Sequence, residues 1–252
     1  MFPFNKRAFF LLGLCLFLVA CLGKAHKERP PHFAYEGKHG PNEWSHLAPS
    51  YQTCSTGRHQ SPINIDTKQV ERTALPPLSV HYQVSAILEI NNGHTIEDDV
   101  APGDFISLGD DNYELVQFHF HHPSEHTLSG KYFPLEIHLV HKNSQGQTLV
   151  LAVFAESGST LPALNTFFDH LPTEHQALRL RANPASLLPI HLDFVQYEGS
   201  LTTPPCSEGV TWLVLTEPVF ASAAQINKFA ALYPHNNRPL MPPNGRHLLS
   251  GL

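Results

Sequence analysis

The chain has 252 residues, 42% of them hydrophobic and 15% charged, which is enough apolar material for one large globular domain and excludes global disorder. A formal net charge of −6 leaves no basic footprint for a phosphate backbone, so nucleic acid is excluded as a partner. The 22 prolines and 15 glycines are spread along the chain, and that density of turns favours a β-rich fold over a helical bundle.

In chain order, Lys6 and Arg7 precede an uncharged apolar run over 8–20 that is too short to span a membrane comfortably, so residues 1–20 read as a secretory signal peptide. Its end has two readings. Leu18-Val19-Ala20-Cys21 resembles a bacterial lipobox with Cys21 as the lipidated residue and sole membrane anchor, whereas Gly23-Lys24-Ala25 suits an ordinary signal peptidase cutting after residue 25. Either way the protein is expected to be exported, to the periplasm. Residues 21–32 are polar and Pro-rich, a tether, and a single catalytic domain is expected over 33–252. Cys15 lies in the apolar segment and Cys21 at the cleavage site, which leaves Cys54 and Cys206 in the body of the protein. Two cysteines in an exported chain suggest one disulfide, with two buried free thiols as the alternative.

Short β-like segments then recur at 78–84, 87–91, 95–98, 114–120, 135–141, 149–155 and 209–216, each between turn signals. Spacing and alanine content allow helices over 163–170 and 221–232, the second capped by Ser222. There is no internal repeat.

Within the fourth segment, Gln117-Phe118-His119-Phe120-His121 alternates polar and aromatic residues. In a strand this puts Gln117, His119 and His121 on one face and Phe118 and Phe120 on the other. Glu136-Ile137-His138 repeats the alternation, so an adjacent antiparallel strand could bring His138 beside the first two imidazoles. Three neutral imidazoles suit zinc, and three protein ligands leave a position for water, the pattern of a catalytic rather than a structural site. Gln117 and Glu136 each lie two residues before a ligand, where they could orient imidazoles without touching metal. A His-x-His pair by itself is also compatible with ordinary structure. His122 and His141 read as structural or solvent-facing.

With these residues in place, the sequence resembles an alpha-class carbonic anhydrase of the exported bacterial type. The matching blocks run in order from 33 to about 248: Gly37-Lys38-His39-Gly40-Pro41 with Trp44, Gln60-Ser61-Pro62-Ile63-Asn64-Ile65, Asn92-Gly93-His94, 117–121, Ser124-Glu125-His126-Thr127, 135–141, and Gly199-Ser200-Leu201-Thr202-Thr203-Pro204-Pro205. The resemblance implies a mainly β domain, a large twisted and mostly antiparallel central sheet with peripheral short helices, and zinc at the bottom of a conical cleft. It implies reversible hydration of carbon dioxide to bicarbonate and a proton by attack of zinc-bound hydroxide. His94 matches the proton shuttle, and Thr202 matches the residue that accepts from the hydroxide while donating to a buried glutamate, here Glu125. Tyr35 and Asn92 match the water network. Thr203 belongs to the substrate-binding loop, and Val140, Val150, Leu201, Val210 and Trp212 match the apolar wall that receives carbon dioxide, with plain core packing as the alternative for those five. Cys54 and Cys206 match a disulfide of exported members. The implied partner is a small molecule, carbon dioxide or bicarbonate, acting on a monomer or homodimer. Glu97, where many members carry a neutral amide, and Phe33, in place of a common tryptophan, depart from the pattern. An esterase and a non-catalytic binding module are the competing functions.

Overall fold

The computed structural model describes residues 31–251; the leader, Cys21 and most of the tether lie outside them. Fifteen strands follow in chain order: β1 (Asn64–Ile65), β2 (Glu71–Arg72), β3 (Leu78–His81), β4 (Ser85–Asn91), β5 (Ile96–Val100), β6 (Phe105–Leu108), β7 (Asp111–His121), β8 (Thr127–Leu128), β9 (Leu135–Lys142), β10 (Thr148–Ser157), β11 (Ala177–Ala182), β12 (Phe194–Ser200), β13 (Glu208–Leu215), β14 (Val219–Ala221) and β15 (Leu249–Ser250). The helices are α1 (Trp44–Leu47), α2 (Thr53–Thr56), α3 (Pro162–Phe168) and α4 (Ala223–Ala230).

Thirteen strands make one sheet with the path β11-β4-β5-β7-β9-β10-β13-β12-β15-β2; off this path β6 pairs with β7, β3 with β6, and β14 with β10. Most pairings are antiparallel, and the parallel ones are β10 with β13 and β14, and β15 with β2. The expected β-rich architecture is therefore present. The reading of 78–84 as one strand is corrected: β3 ends at His81 and β4 starts at Ser85, with Gln83 N donating to Asp104 Oδ1 between them. Helix α4 begins one residue after Ser222, whose side chain accepts from Gln225 N while the Gln225 side chain accepts from Ser222 N, a reciprocal cap.

Period-two alternation sorts the side chains of the central strands into two cores. Phe118 and Phe120 of β7, Leu135, Ile137 and Leu139 of β9, and Leu149, Leu151 and Val153 of β10 pack on one side with Phe167, Phe168 and Phe229 of α3 and α4. Val150, Ala152 and Phe154 of β10 with Val210, Trp212 and Val214 of β13 pack on the other, against Ile63, Ile65 and Phe133. With both faces covered, β9 and β10 read as near-continuous apolar runs. Gln117, His119 and His121 of β7 and Glu136 and His138 of β9 alternate to the second side.

Candidate active site

Strand register assembles the site. His119 of β7 lies opposite His138 of β9, and His138 opposite Ala152 of β10; two pairs further along, His121 faces Glu136. The three imidazoles expected to share a space do so: ring centroids of His119, His121 and His138 are 4.6–5.3 Å apart, and one nitrogen from each lies within 4.8 Å of the others.

What the rings do with their remaining nitrogens decides whether a metal fits. His119 Nδ1 is 2.8 Å from Gln117 Oε1, His121 Nδ1 is 2.7 Å from the Asn236 carbonyl, and His138 Nε2 is 2.7 Å from Glu136 Oε1. Each partner is an acceptor, so each of those nitrogens is the N–H donor and the other nitrogen keeps a bare lone pair. The free nitrogens are Nε2 of His119, Nε2 of His121 and Nδ1 of His138. His121 Nε2 is buried without any hydrogen-bond partner among the described residues, an expensive arrangement for a polar atom unless a ligand fills it. Burial, with the neighbouring imidazoles His121 and His138, holds His119 well below the usual histidine range, and burial lowers His121 against the opposing pull of Glu125. Both are the neutral, ligating form. The residues present fit a zinc ion.

A second cluster, His126, Glu136 and His138, is spent on itself. Glu136 Oε2 accepts from the backbone N–H groups of Glu125 and His126, and Oε1 from His126 Nδ1 and His138 Nε2, at 2.7–2.8 Å. Burial alone would raise this carboxyl; attraction and hydrogen bonds from His126 and His138 outweigh it and hold Glu136 well below the usual carboxylate range. His126 Nε2 in turn accepts from Tyr197 Oη at 2.6 Å.

Glu125 is fully buried, its Oε1 accepting from Arg238 N at 2.8 Å. Its Oε2 has no hydrogen-bond partner and lies 3.5 Å from His121 Nε2. Thr202 is buried, and no hydrogen bond joins it to Glu125 among the described residues, so the carboxylate keeps an open acceptor beside the triad. The loop that carries Thr202 and Thr203 is tied down beyond them: Cys206 N donates to the Thr203 carbonyl, Cys206 is bridged to Cys54, and Gln60 Nε2 donates to the Cys206 carbonyl. Arg238 reaches the other half-cystine through Nη2 and the Cys54 carbonyl.

The register also lays out the apolar residues. Val140, Val150 and Trp212 lie side by side on β9, β10 and β13, and with Val210 and Leu201 they belong to one apolar cluster. The Trp212 ring is 4.9 Å from that of His138, and its indole N–H donates to the Ser200 carbonyl.

His94 sits in the turn between β4 and β5. Asn92 Oδ1 accepts from the backbone N–H groups of His94 and Thr95, and Asn92 Nδ2 donates to Glu97 Oε2 at 3.3 Å. The His94 ring stacks on Phe33, 3.9 Å between centroids and 9° between planes, and on His32 at 5.4 Å. Burial lowers its pKa, helped by His32. Glu97 lies opposite His119 across the strands. Tyr35 packs against Trp44 and lines, with His94 and Asn236, a cavity of about 250 Å³. Sequence reasoning missed Asn236, Arg238 and Tyr197 as supports of the site. His126 and Ser200 were visible only as members of matching blocks.

A family model described as eukaryotic-type carbonic anhydrase matches residues 39–250. A carbonic anhydrase of Pectobacterium carotovorum is 43% identical over 242 residues, covering 94% of this chain and 98% of its own. One from a Nostoc species is 35% identical over 259 residues, covering 99% and 98%. Among solved structures, the alpha-carbonic anhydrase of Thermovibrio ammonificans, in complex with the inhibitor sulfanilamide, superposes with a TM-score of 0.84 at 41% identity, covering 87% of this chain and 99% of that one.

Proposed function

This chain belongs to the alpha-class, eukaryotic-type carbonic anhydrase family and is an enzyme of that family, and from that premise we propose how it interconverts carbon dioxide and bicarbonate: at one zinc ion held by His119, His121 and His138. The observation that carries the reading is the set of three imidazoles, His121 and His138 buried and His119 half-buried, whose outer nitrogens are committed to Gln117, the Asn236 carbonyl and Glu136 while their inner nitrogens converge, one of them with no partner among the described residues. Bound there, zinc supplies the Lewis acidity that makes a water-derived nucleophile available at neutral pH.

The remaining work falls to side chains. A threonine hydroxyl has one donor. When Thr202 gives it to the open Oε2 of Glu125, only its lone pairs face the reacting oxygen, which orients that oxygen's proton away from substrate. Arg238 N fixes Glu125 for this role. Val140, Val150, Leu201, Val210 and Trp212 offer carbon dioxide an apolar surface and keep competing water off it, while Thr203 closes the loop side. The proton leaves by way of His94, an imidazole able to take up and give back a proton, whose pKa burial holds below the usual histidine value, through water ordered by Asn92 and Tyr35. The disulfide fits an exported enzyme, and we place the protein in the periplasm, free or held by lipid on Cys21. No helix among the described residues is long and apolar enough to cross a membrane.

Stopped-flow carbon dioxide hydration by the purified protein tests this. Exhaustive chelation should abolish turnover and one equivalent of zinc should restore it. Full activity in verified metal-free protein would refute the assignment.

A further inference from the structure

On the sheet face that packs under α3 and α4, two acids stand where the alternation calls for apolar residues. Glu89 of β4 and Asp98 of β5 are partners across the strands. They are 1% and 0% exposed, in a row otherwise made of Ile87, Ile96, Val100 and Phe118. Both Asp98 carboxylate oxygens and Glu89 Oε1 have no hydrogen-bond partner among the described residues. Residues paired in this way have Cβ atoms about 4.5–5.5 Å apart, so the two carboxyl groups share one pocket.

The elements packed around the pair bring no compensating charge. β7 presents Phe118 opposite Asp98 and β11 presents Leu178 opposite Glu89; α3 adds Phe167 against Phe118. Glu97 and Asp99, on either side of Asp98, alternate to the other face and push it further up, and Arg179 of β11 alternates away as well. Lys228, the one cation of α4, pairs with Asp169. Next along β4, Asn91 is engaged by the Tyr233 hydroxyl and the Pro172 carbonyl.

An ionised carboxylate in such surroundings takes up a proton rather than stay charged, and two carboxylates in one pocket resist joint ionisation. Burial pushes Glu89 up to about 8 and Asp98 well above the usual carboxylate range, the latter raised further by Glu89. We propose that Glu89 and Asp98 form a proton-dependent latch on the β4–β5 hairpin, closed while the pair holds a proton and released when both acids ionise. The O–H of the protonated acid donates to an oxygen of its neighbour, joining the strands by their side chains below the turn that carries Asn92 and His94. The closed hairpin keeps a proton that an opened one gives up, so the latch is complete below the ordinary carboxylate range and is lost as pH rises through about 8. Only its consequence for catalysis, His94 leaving the site when the hairpin opens, rests on the function proposed above.

Hydrogen exchange followed by mass spectrometry, corrected for the intrinsic pH dependence of exchange, tests the latch without using activity. In the full chain, protection of β4 and β5 amides should fall roughly tenfold per pH unit between about pH 6 and 8, the slope of one proton, while β9 and β10 amides hold. The double variants Glu89→Gln/Asp98→Asn and Glu89→Leu/Asp98→Val should flatten that slope, the second also if the first fails to fold, because it restores an apolar row. Hairpin protection independent of pH in the unmodified protein would overturn the latch, as would the wild-type slope persisting in the apolar variant.

Discussion

His141 shows how one imidazole is kept out of the metal site. It is fully buried three residues after His138, but on the opposite face of β9, where its Nδ1–H donates to the Leu149 carbonyl and its Nε2 accepts from Tyr82 Oη at 2.6 Å. Burial pushes its pKa down to about 3, so it stays neutral when folded and takes a proton only when unfolded. Its contribution is therefore present above about pH 6.5 and is lost as pH falls toward 3, at up to ~1.4 kcal/mol per pH unit. Urea denaturation between pH 7 and 4.5 should show His141→Gln losing stability less steeply than the parent; equal slopes would refute this. Period two alone put His141 on the face away from the triad, as structural or solvent-facing, and burial decides for the first. Asn236 could not be found that way, because it offers His121 a backbone carbonyl that every residue possesses. Arg238 likewise acts on Glu125 through its main-chain N–H.

At the scale of elements, segments whose alternation is strong were legible. β7, β9, β10 and β13 were each located to within a few residues, and Ser222 was expected as the cap of the helix after it. β11 and β12 were not. β11 alternates exposed and half-buried residues at the sheet edge, so Arg179 and Arg181 mask its apolar side. The register irregularity of β7 against β9, between Leu115 and Gln117, leaves no local mark, yet it sets Gln117 opposite Val140 and His119 opposite His138. The β4–β5 hairpin is the element whose tip should govern proton removal. His94→Ala should lower turnover several-fold in weak buffer while leaving carbon dioxide–bicarbonate exchange at chemical equilibrium almost unchanged, and small imidazole buffers should recover much of the loss. Unaltered turnover in weak buffer would defeat the assignment and point to Glu97, which is held at the same turn by Asn92.

The whole molecule places a polar triad on one face of a sheet that is apolar on both, and only long-range pairing makes that possible. Parallel pairing of β10 with β13 brings Val150 beside Trp212, and the bridge from Cys54 to Cys206 spans 152 positions. Neither topology nor these partners follow from periodicity: the family resemblance implied a large, mostly antiparallel sheet and the Cys54–Cys206 bridge, and the parallel pairing of β10 with β13 was not among the expectations. The metal is what the three imidazoles are arranged to hold. Zinc analysis of the purified protein after dialysis against a weak chelator should give one zinc per chain, close to none in folded His119→Ala, His121→Ala or His138→Ala, and one again in His122→Ala, whose ring turns instead to the Pro234 carbonyl. A full equivalent of zinc retained by folded His121→Ala protein would contradict it.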